Sequence, residues 1–498
     1  MKARLVRFLF GLHRWSGVVL GLLMLMWCLS GFVMMYSPYP ATSRDGVDLR
    51  LLALAPIVLP ENAGAPPADA IPADAELLSA RIEMLAQRPA IFLSWTGGKG
   101  LFDLSTRARI TEVGEDEALA IARTWIARHK LSGEPTIKTL SERDEFNVAG
   151  YFNAARPFWQ VRLNDADKTM LYVSSRTGEV SQRTTAALRF WSWLGAIPHW
   201  LYFTELRKDT KLWVDVVIST SLGGCFLTLL GLFVGLRQFR RRHSTGRHAS
   251  PYRGLKFWHH MLGLTFGVLV LTWTFSGFAS MQPWGWLESS AASGQALERL
   301  SGKSPTWREA RPILAAQIAA LGASDGQAVQ LSAAKSDGRL YFIETRADQS
   351  RTRLGPDGAP LPFNEDEWTR AAALLAGGKG PAAVELLERE DAYYYKGAAA
   401  GRLPVVRITV PAMAGSSFYL DPVSAQVVAV ADPGAKGFRW FHLGLHRLDF
   451  ASWLRVRPLW DLITLVLLAG TTAVCAIGAW MGLKKLARGG RLDGRPPD

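Results

Sequence analysis

Four long stretches of apolar residues dominate the hydropathy pattern of the chain. They cover residues 8–35, 212–236, 257–280 and 459–483, and each is long enough for the helix of roughly 20 residues that crosses a bilayer core. Two long segments separate them, in which strand-like and helix-like apolar patterns follow one another. The pattern therefore predicts an α-helical membrane protein with four spans and two large extramembrane segments.

The formal net charge of +14 lies largely in short basic segments that flank the apolar stretches. Lys2, Arg4 and Arg7 precede the first stretch, and residues 237–256 contain seven Lys or Arg and no acid. The tail after the fourth stretch is also basic, and the positive-inside rule places such segments in the cytoplasm. We expect a multi-pass protein of the bacterial inner membrane, with cytoplasmic termini and periplasmic segments, and no nucleic acid as partner.

The first apolar stretch has a second interpretation, because a cleaved signal peptide also begins with basic residues. The apolar region of a signal peptide usually spans about 7–15 residues. This stretch is far longer and contains His13 and Arg14. The sequence therefore favours an uncleaved membrane anchor.

The second half of the chain repeats the first at an offset of about 246 residues. Seven identities in the first and third spans pair His13, Gly17, Gly21, Trp27, Ser30, Gly31 and Phe32 with His259, Gly263, Gly267, Trp273, Ser276, Gly277 and Phe278. At an offset of 247, Trp193, His199, Trp213 and Gly235 match Trp440, His446, Trp460 and Gly482. We predict a four-helix transmembrane bundle from a tandem repeat of two helices plus one extramembrane domain, related by an axis along the membrane normal.

Each extramembrane segment is expected to form a small α+β domain. Predicted helices cover residues 115–129, 307–321 and 365–375, and predicted strands cover 158–163, 170–173, 339–345, 405–410 and 418–420. The predicted order is a first span 1–36, a periplasmic domain 37–190, an interfacial segment with the second span 191–236, a basic cytoplasmic loop 237–256, a third span 257–282, a second periplasmic domain 283–438, an interfacial segment with the fourth span 439–484, and a cytoplasmic tail 485–498.

Two histidines inside the spans are the first candidates for chemistry. His13 and His259 occupy equivalent repeat positions near the cytoplasmic face, so the repeat axis can bring their imidazoles together. Neutral imidazole binds iron well, and glycines four and eight residues after each histidine leave room for a flat macrocycle. The chain has no Cys-x-x-Cys-His motif, so we expect a non-covalent haem between these histidines.

The same pattern has a simpler interpretation as a close packing seam of small residues with a hydrogen-bonded histidine. The occurrence of two symmetry-related copies favours a ligand pair. His260 points about 100° away from His259 on a helix, and for it we expect a haem propionate or solvent contact.

A second histidine pair is predicted near the periplasmic interface. His199 and His446 precede the second and fourth spans, in short segments rich in aromatic residues that are typical of the headgroup level. His442 lies one helical turn before His446 and is an alternative ligand or a third site. An exposed interfacial histidine without a ligand role is the simpler interpretation, and the repeat relation favours ligation.

These motifs resemble those of the PepSY-associated transmembrane family over essentially the whole chain. The matching features are "LHRWSGVVLGL" and "WHHMLGLTFGV" at the start of odd spans, "SGF" at their ends and "LHR" before the fourth span. The chain departs from the pattern before His199, where Ile197 and Pro198 replace the usual Leu. The resemblance implies two PepSY-like periplasmic domains. The family includes iron-regulated membrane proteins and a ferric-siderophore reductase that looks like a di-haem b protein, which implies reductive iron release.

The leading hypothesis is a transmembrane oxidoreductase with two bis-histidine b haems, His13 with His259 and His199 with His446 as axial iron ligands. Electrons from a quinol or a cytoplasmic reductase would cross the bilayer to a ferric siderophore or another periplasmic acceptor. The acceptor is expected to dock near residues 151, 152 and 159 or near the tyrosines 393–395, unless these aromatics belong to the core.

Two other classes compete with this hypothesis. A periplasmic binding or regulatory protein, anchored by the four spans and without redox activity, would carry no haem. A transporter is disfavoured, because no span is broken at its midplane by proline or a polar pair.

Overall fold

The computed structural model describes residues 3–44, 47–243, 250–395 and 402–487. The chain divides into two compact units. The helical unit comprises Met1–Tyr39, Leu188–Glu288 and Gly437–Asp498, and the β-sheet unit comprises Pro40–Ala187 and Ser289–Lys436. Most of the predicted cytoplasmic tail 485–498 and part of the basic loop 237–256 lie outside the described residues.

The helices are numbered in chain order. They are α1 Ala3–Met34, α2 Leu49–Ala53, α3 Glu115–His129, α4 Ala186–Leu194, α5 Ala196–Trp200, α6 Thr204–Arg207, α7 Thr210–His243, α8 Leu255–Ser280, α9 Ala291–Ser301, α10 Trp307–Gly322, α11 Glu365–Ala376, α12 Pro433–Phe438, α13 Leu445–Arg447 and α14 Leu459–Ala487. A π-helical turn, Arg439–Gly444, leads into α13.

Four helices, α1, α7, α8 and α14, are long and apolar enough to cross a membrane. They pack in the cyclic order α1, α14, α8, α7, which places α1 and α8 on one diagonal of a four-helix bundle. Each helix contributes one residue to a buried layer, formed by Met24, Leu227, Val270 and Cys475. The bundle therefore brings positions on α1 and α8 toward a common axis.

The strands are also numbered in chain order. They are β1 Ser43–Arg44, β2 Val47–Asp48, β3 Leu77–Leu85, β4 Arg88–Trp95, β5 Gly98–Asp103, β6 Arg109–Ile110, β7 Thr136–Ser141, β8 Phe158–Arg162, β9 Met170–Ser174, β10 Val180–Thr184, β11 Ala328–Ser336, β12 Arg339–Arg346, β13 Arg351–Leu354, β14 Ala383–Leu387, β15 Val405–Val410, β16 Ser416–Leu420 and β17 Val427–Ala431.

One sheet in the β-sheet unit draws strands from both extramembrane segments. Its seven strands run in the order β13-β12-β11-β3-β4-β5-β6, and β3 pairs with β11 through Ile82 opposite Leu331. Trp307 and Leu314 of α10 pack on this sheet against residues such as Ile91. The two segments are therefore joined by a main-chain pairing that the sequence did not indicate.

Two antiparallel four-stranded sheets complete the unit, in the orders β10-β9-β8-β7 and β14-β15-β16-β17. Helix α3 buries Ala118, Ile121, Ala122 and Trp125, and it packs on the first of these sheets. Helix α11, together with α9, packs on the second. The amphipathic pattern of each helix thus explains which face it buries.

Equivalent polar contacts occur in both four-stranded sheets. Asp144 accepts hydrogen bonds from Tyr172 Oη at 2.8 Å and from Gln160 Nε2 at 2.9 Å. At positions 247 residues later, Asp391 accepts hydrogen bonds from Tyr419 Oη and Arg407 Nη1, both at 2.8 Å. Because each carboxylate bonds two neighbouring strands, it fixes the loop before them to the sheet.

Replacement of Trp307 by alanine tests the core of the shared sheet. Trp307 is 1% exposed, so its truncation leaves a cavity and should lower the free energy of unfolding of the β-sheet unit by about 3–5 kcal/mol. Urea titration of the full-length protein in detergent, followed by limited proteolysis, measures this loss. Tyr151→Ala, at a side chain that is 72% exposed, should change stability by about 0.5 kcal/mol or less. Equal effects of the two changes would contradict the assigned core.

Candidate functional site: two histidine pairs

The first histidine pair lies across the diagonal of the helical bundle. His13 on α1 and His259 on α8 have ring centroids 6.3 Å apart, with ring planes inclined by 35°. Nδ1 of His13 lies 3.1 Å from the carbonyl oxygen of Leu227, and Nδ1 of His259 lies 3.2 Å from that of Val474. A carbonyl oxygen can only accept, so Nδ1 carries the proton in both rings. The unprotonated Nε2 is then the nitrogen that can bind a metal.

Two glycines on the neighbouring helices make room for these rings. A Cβ atom at Gly231 would lie 2.7 Å from Cε1 of His13, and one at Gly478 would lie 3.0 Å from Cε1 of His259. The two glycines are 247 residues apart in the sequence. The sequence interpretation missed their role, although the repeat relation was the signal that could have identified them.

The second pair is formed by His199 on α5 and His446 on α13. Their ring centroids are 5.8 Å apart, with planes inclined by 74°. Nδ1 of His199 lies 2.9 Å from Oγ of Ser30, and Nδ1 of His446 lies 2.8 Å from Oγ of Ser276. The two serines come from the "SGF" motifs that close α1 and α8.

Burial keeps the second pair neutral. It lowers the pKa of His199 to about 4 and that of His446 to about 3, because desolvation disfavours the imidazolium form. The neighbouring His442 lowers the pKa of His446 further. Both rings are therefore uncharged at pH 7, which is the form that coordinates metals.

His442 is a neighbour of the second pair. Its ring stacks on that of His446 with centroids 5.4 Å apart, and its Nδ1 lies 3.1 Å from the carbonyl oxygen of Ser276. His446 is the residue that faces His199 within 5.8 Å. The geometry thus places His442 behind His446.

His260 has a structural role that differs from the predicted one. It is 7% exposed, its Nδ1 lies 2.7 Å from Oγ of Ser250, and its Nε2 lies 2.9 Å from the carbonyl oxygen of Gly235. The predicted solvent contact is wrong, because both ring nitrogens bond within the protein. His260 instead joins α8 to α7 and to Ser250 of the basic loop.

The glycines that follow the span histidines divide into two kinds. A Cβ atom at Gly263 would meet no atom within 4 Å, whereas one at Gly21 would lie 3.5 Å from the Cα atom of Ala479 on α14. Gly21 therefore serves close helix packing, and Gly263 borders open space. The close-packing interpretation therefore holds at Gly21, and the predicted room for a macrocycle stays a prediction.

The predicted docking aromatics lie mostly in the core of the β-sheet unit. Tyr394 and Tyr395 are each 2% exposed, and Tyr394 stacks on Tyr419 with ring centroids 5.0 Å apart. Phe152 is also buried, while Tyr151 is exposed. The tyrosine run is accordingly a structural feature of the sheet.

The four apolar helices, together with the β-sheet-rich unit, define a multi-pass membrane protein with extramembrane domains. The profile of the PepSY-associated TM region matches residues 10–485. The chain belongs to this family, which confirms the resemblance of its motifs. A comparison with curated proteins finds no match.

An alanine at Gly231 tests the fit of the first pair. Its Cβ would overlap Cε1 of His13 and force the ring to move, at an expected cost of about 1–3 kcal/mol. Thermal unfolding in detergent should therefore show a lower melting temperature. Gly277→Ala is the matched control, because its Cβ would meet nothing closer than 3.8 Å and the helix should gain up to about 1 kcal/mol. A melting temperature that is no lower for Gly231→Ala than for Gly277→Ala would show that the ring does not need this space.

Proposed function

We propose that this protein is a haem b-containing oxidoreductase of the bacterial inner membrane that passes electrons to a periplasmic acceptor, a ferric siderophore, and thereby releases iron. The observation that supports this proposal is the presence of two facing histidine pairs in one helical bundle, 6.3 and 5.8 Å apart between ring centroids. Two imidazoles on opposite sides of one metal, with bonds of about 2 Å, have centroids roughly 6 Å apart.

The donor set fits haem iron better than a bare metal ion. Within the described ranges, no three His, Cys, Asp or Glu side chains come together as a metal site. Zinc sites usually take three or four protein ligands, whereas iron in a porphyrin needs only axial ones. Each pair supplies two neutral imidazoles, so His13 with His259 and His199 with His446 would each hold one haem. When bound, such a haem would supply one-electron transfer.

The chain's own residues orient these ligands. The carbonyl oxygens of Leu227 and Val474 keep Nδ1 of the first pair protonated, so that Nε2 is the nitrogen available to bind iron. His13 and His259 lie on α1 and α8 of the apolar bundle, and His199 and His446 bond serines of the same two helices. Apolar surroundings influence the reduction potential of a redox centre.

We further propose that the chain arose by tandem duplication, with two PepSY-like halves in the β-sheet unit. Two kinds of contact support this idea, namely the Nδ1 acceptors of His13 and His259 and the carboxylates Asp144 and Asp391, which recur about 247 residues apart. With the basic segments in the cytoplasm, both termini would be cytoplasmic and the β-sheet unit periplasmic. The electron donor would then be a quinol or a cytoplasmic reductase, and the lipid bilayer would surround the four spans.

Absorption spectroscopy of detergent-purified protein tests the cofactor. Wild-type protein from haem-sufficient cells should show a Soret band and about two haems per chain. His13→Ala and His199→Ala should each lose about half of the haem, because each removes one axial ligand. His129→Ala, at a histidine whose Nε2 bonds the Leu49 carbonyl in the β-sheet unit, should keep all of it. A colourless wild-type protein would favour a membrane-anchored binding or regulatory role.

A further pair of variants tests which histidine is the ligand near Ser276. His446→Ala should lose the haem of the second pair, because His446 is the ring that faces His199. His442→Ala should retain both haems, since its ring lies behind that of His446. Haem analysis by the pyridine haemochrome method measures both. Loss in His442→Ala with retention in His446→Ala would reverse the assignment.

The acceptor is tested by mixing dithionite-reduced, desalted protein with ferric siderophores under anaerobic conditions. We expect rapid reoxidation of the haem, together with capture of ferrous iron by a chromogenic chelator. His199→Ala should react slowly, because it lacks the site nearest the proposed periplasmic face. Indifference of the reduced wild-type protein to every ferric chelate would rule out this class of acceptor.

A further inference from the structure

The two histidine pairs differ in what holds their Nδ1 atoms. In the first pair the acceptors are main-chain carbonyl oxygens, those of Leu227 and Val474. In the second pair the serine hydroxyls of Ser30 and Ser276 lie against Nδ1, beside the carbonyl oxygens of Trp27 and Trp273, which also bond the rings. We propose that Ser30 and Ser276 are positioning residues that hold His199 and His446 as Nδ1-protonated tautomers, with Nε2 directed to the iron. This inference rests on the proposed haem function.

The direction of each hydrogen bond follows from proton accounting at the serine. A hydroxyl has one proton and two lone pairs. Oγ of Ser30 donates its proton to the carbonyl oxygen of Trp27 at 3.1 Å, and Oγ of Ser276 donates to that of Trp273 at 2.7 Å. Only lone pairs then remain for the histidines. Nδ1 must therefore be the donor, which leaves Nε2 without a proton.

The positions of the two serines explain why hydroxyl side chains hold Nδ1 of His199 and His446. His199 lies on α5, which is five residues long, and His446 lies in the last turn of a helical segment that runs through α12 and the π-helical turn to Arg447, whereas Ser30 and Ser276 lie on the long helices α1 and α8. A short helix and the last turn of a helix hold the orientation of their side chains weakly. A hydrogen bond to a serine on a long helix ties each ring to the bundle. The first pair lies on the long helices themselves.

An acceptor on Nδ1–H makes the imidazole a stronger electron donor to the metal and also orients the ring. Loss of this acceptor should weaken haem binding at that site by about 10-fold or more. It should also raise the midpoint potential, because ferric iron loses more stabilisation than ferrous iron. The effect should be confined to one haem, since the paired histidines that these serine hydroxyls bond are His199 and His446.

Spectroelectrochemical titration of full-length protein tests the proposal with four variants. Ser30→Ala and Ser276→Ala should each shift one of the two midpoint potentials upward and leave the other unchanged. Ser30→Thr should restore the wild-type value, because threonine in a helix can bond the same carbonyl through its hydroxyl. Ser280→Ala is the matched control, since its hydroxyl donates to the carbonyl oxygen of Gly277 at 2.6 Å. Unshifted potentials in both serine-to-alanine variants, or equal shifts of both haems, would overturn the proposal.

A second readout separates this proposal from the haem proposal. Nitrogen-15 NMR of full-length, histidine-labelled protein made without haem reports the tautomer directly. We expect Nδ1 of His199 and His446 to be protonated in the wild-type protein, with signals assigned by His199→Gln and His446→Gln. Ser30→Ala should convert His199 to a mixture of tautomers. A mixture already present in the wild type would refute the role of the serines, whether or not the protein binds haem.

Discussion

A polar side chain inside an apolar helical bundle is costly without a hydrogen-bond partner, and this constraint shapes both histidine pairs. A buried, unpaired imidazole N–H is costly, so the bundle supplies an acceptor for Nδ1 of each paired histidine. Leu227 and Val474 supply carbonyl oxygens, while Ser30 and Ser276 supply hydroxyls. These partners satisfy Nδ1 of each ring, and the proposed metal chemistry depends on Nε2 being available to the iron.

The packing of the four long helices brings the two span histidines together as a pair. Because α1 and α8 lie on a diagonal, equivalent histidines on them face each other across the bundle axis. The neighbouring helices contribute the matching small residues, Gly231 on α7 and Gly478 on α14. In the β-sheet unit the pairing of β3 with β11 joins the two segments in a comparable way. Residues from distant parts of the chain thus meet in both units.

Several features could be predicted from the sequence because they depend on local pattern. The helix Glu115–His129 and the strand Val405–Val410 have the predicted bounds, and the four spans follow from hydropathy alone. The histidine pairs could be predicted because matching motifs recur 246 or 247 residues apart, with one histidine of each pair in each copy. Local periodicity therefore predicted the spans, and the recurring motifs predicted the residues of the candidate site.

Other features depend on contacts between distant residues and left no clear local signal. Strands β3 to β5 were missed, and the pairing of Ile82 with Leu331 joins positions that no short motif connects. The predicted solvent contact of His260 was wrong because its partners, Ser250 and the Gly235 carbonyl, reach it through tertiary packing that no local pattern shows. The sequence is equally compatible with an exposed or a buried position for the tyrosines near residue 394. Only the tertiary packing shows that Tyr394 and Tyr395 are buried.

The central claim is that each histidine pair binds one iron through both rings. Electron paramagnetic resonance of the oxidised, purified protein at low temperature tests it most directly, because low-spin ferric signals identify two strong axial ligands. We predict two distinct low-spin species, since the ring planes are inclined by 35° in one pair and by 74° in the other. A spectrum without low-spin ferric iron would contradict the account.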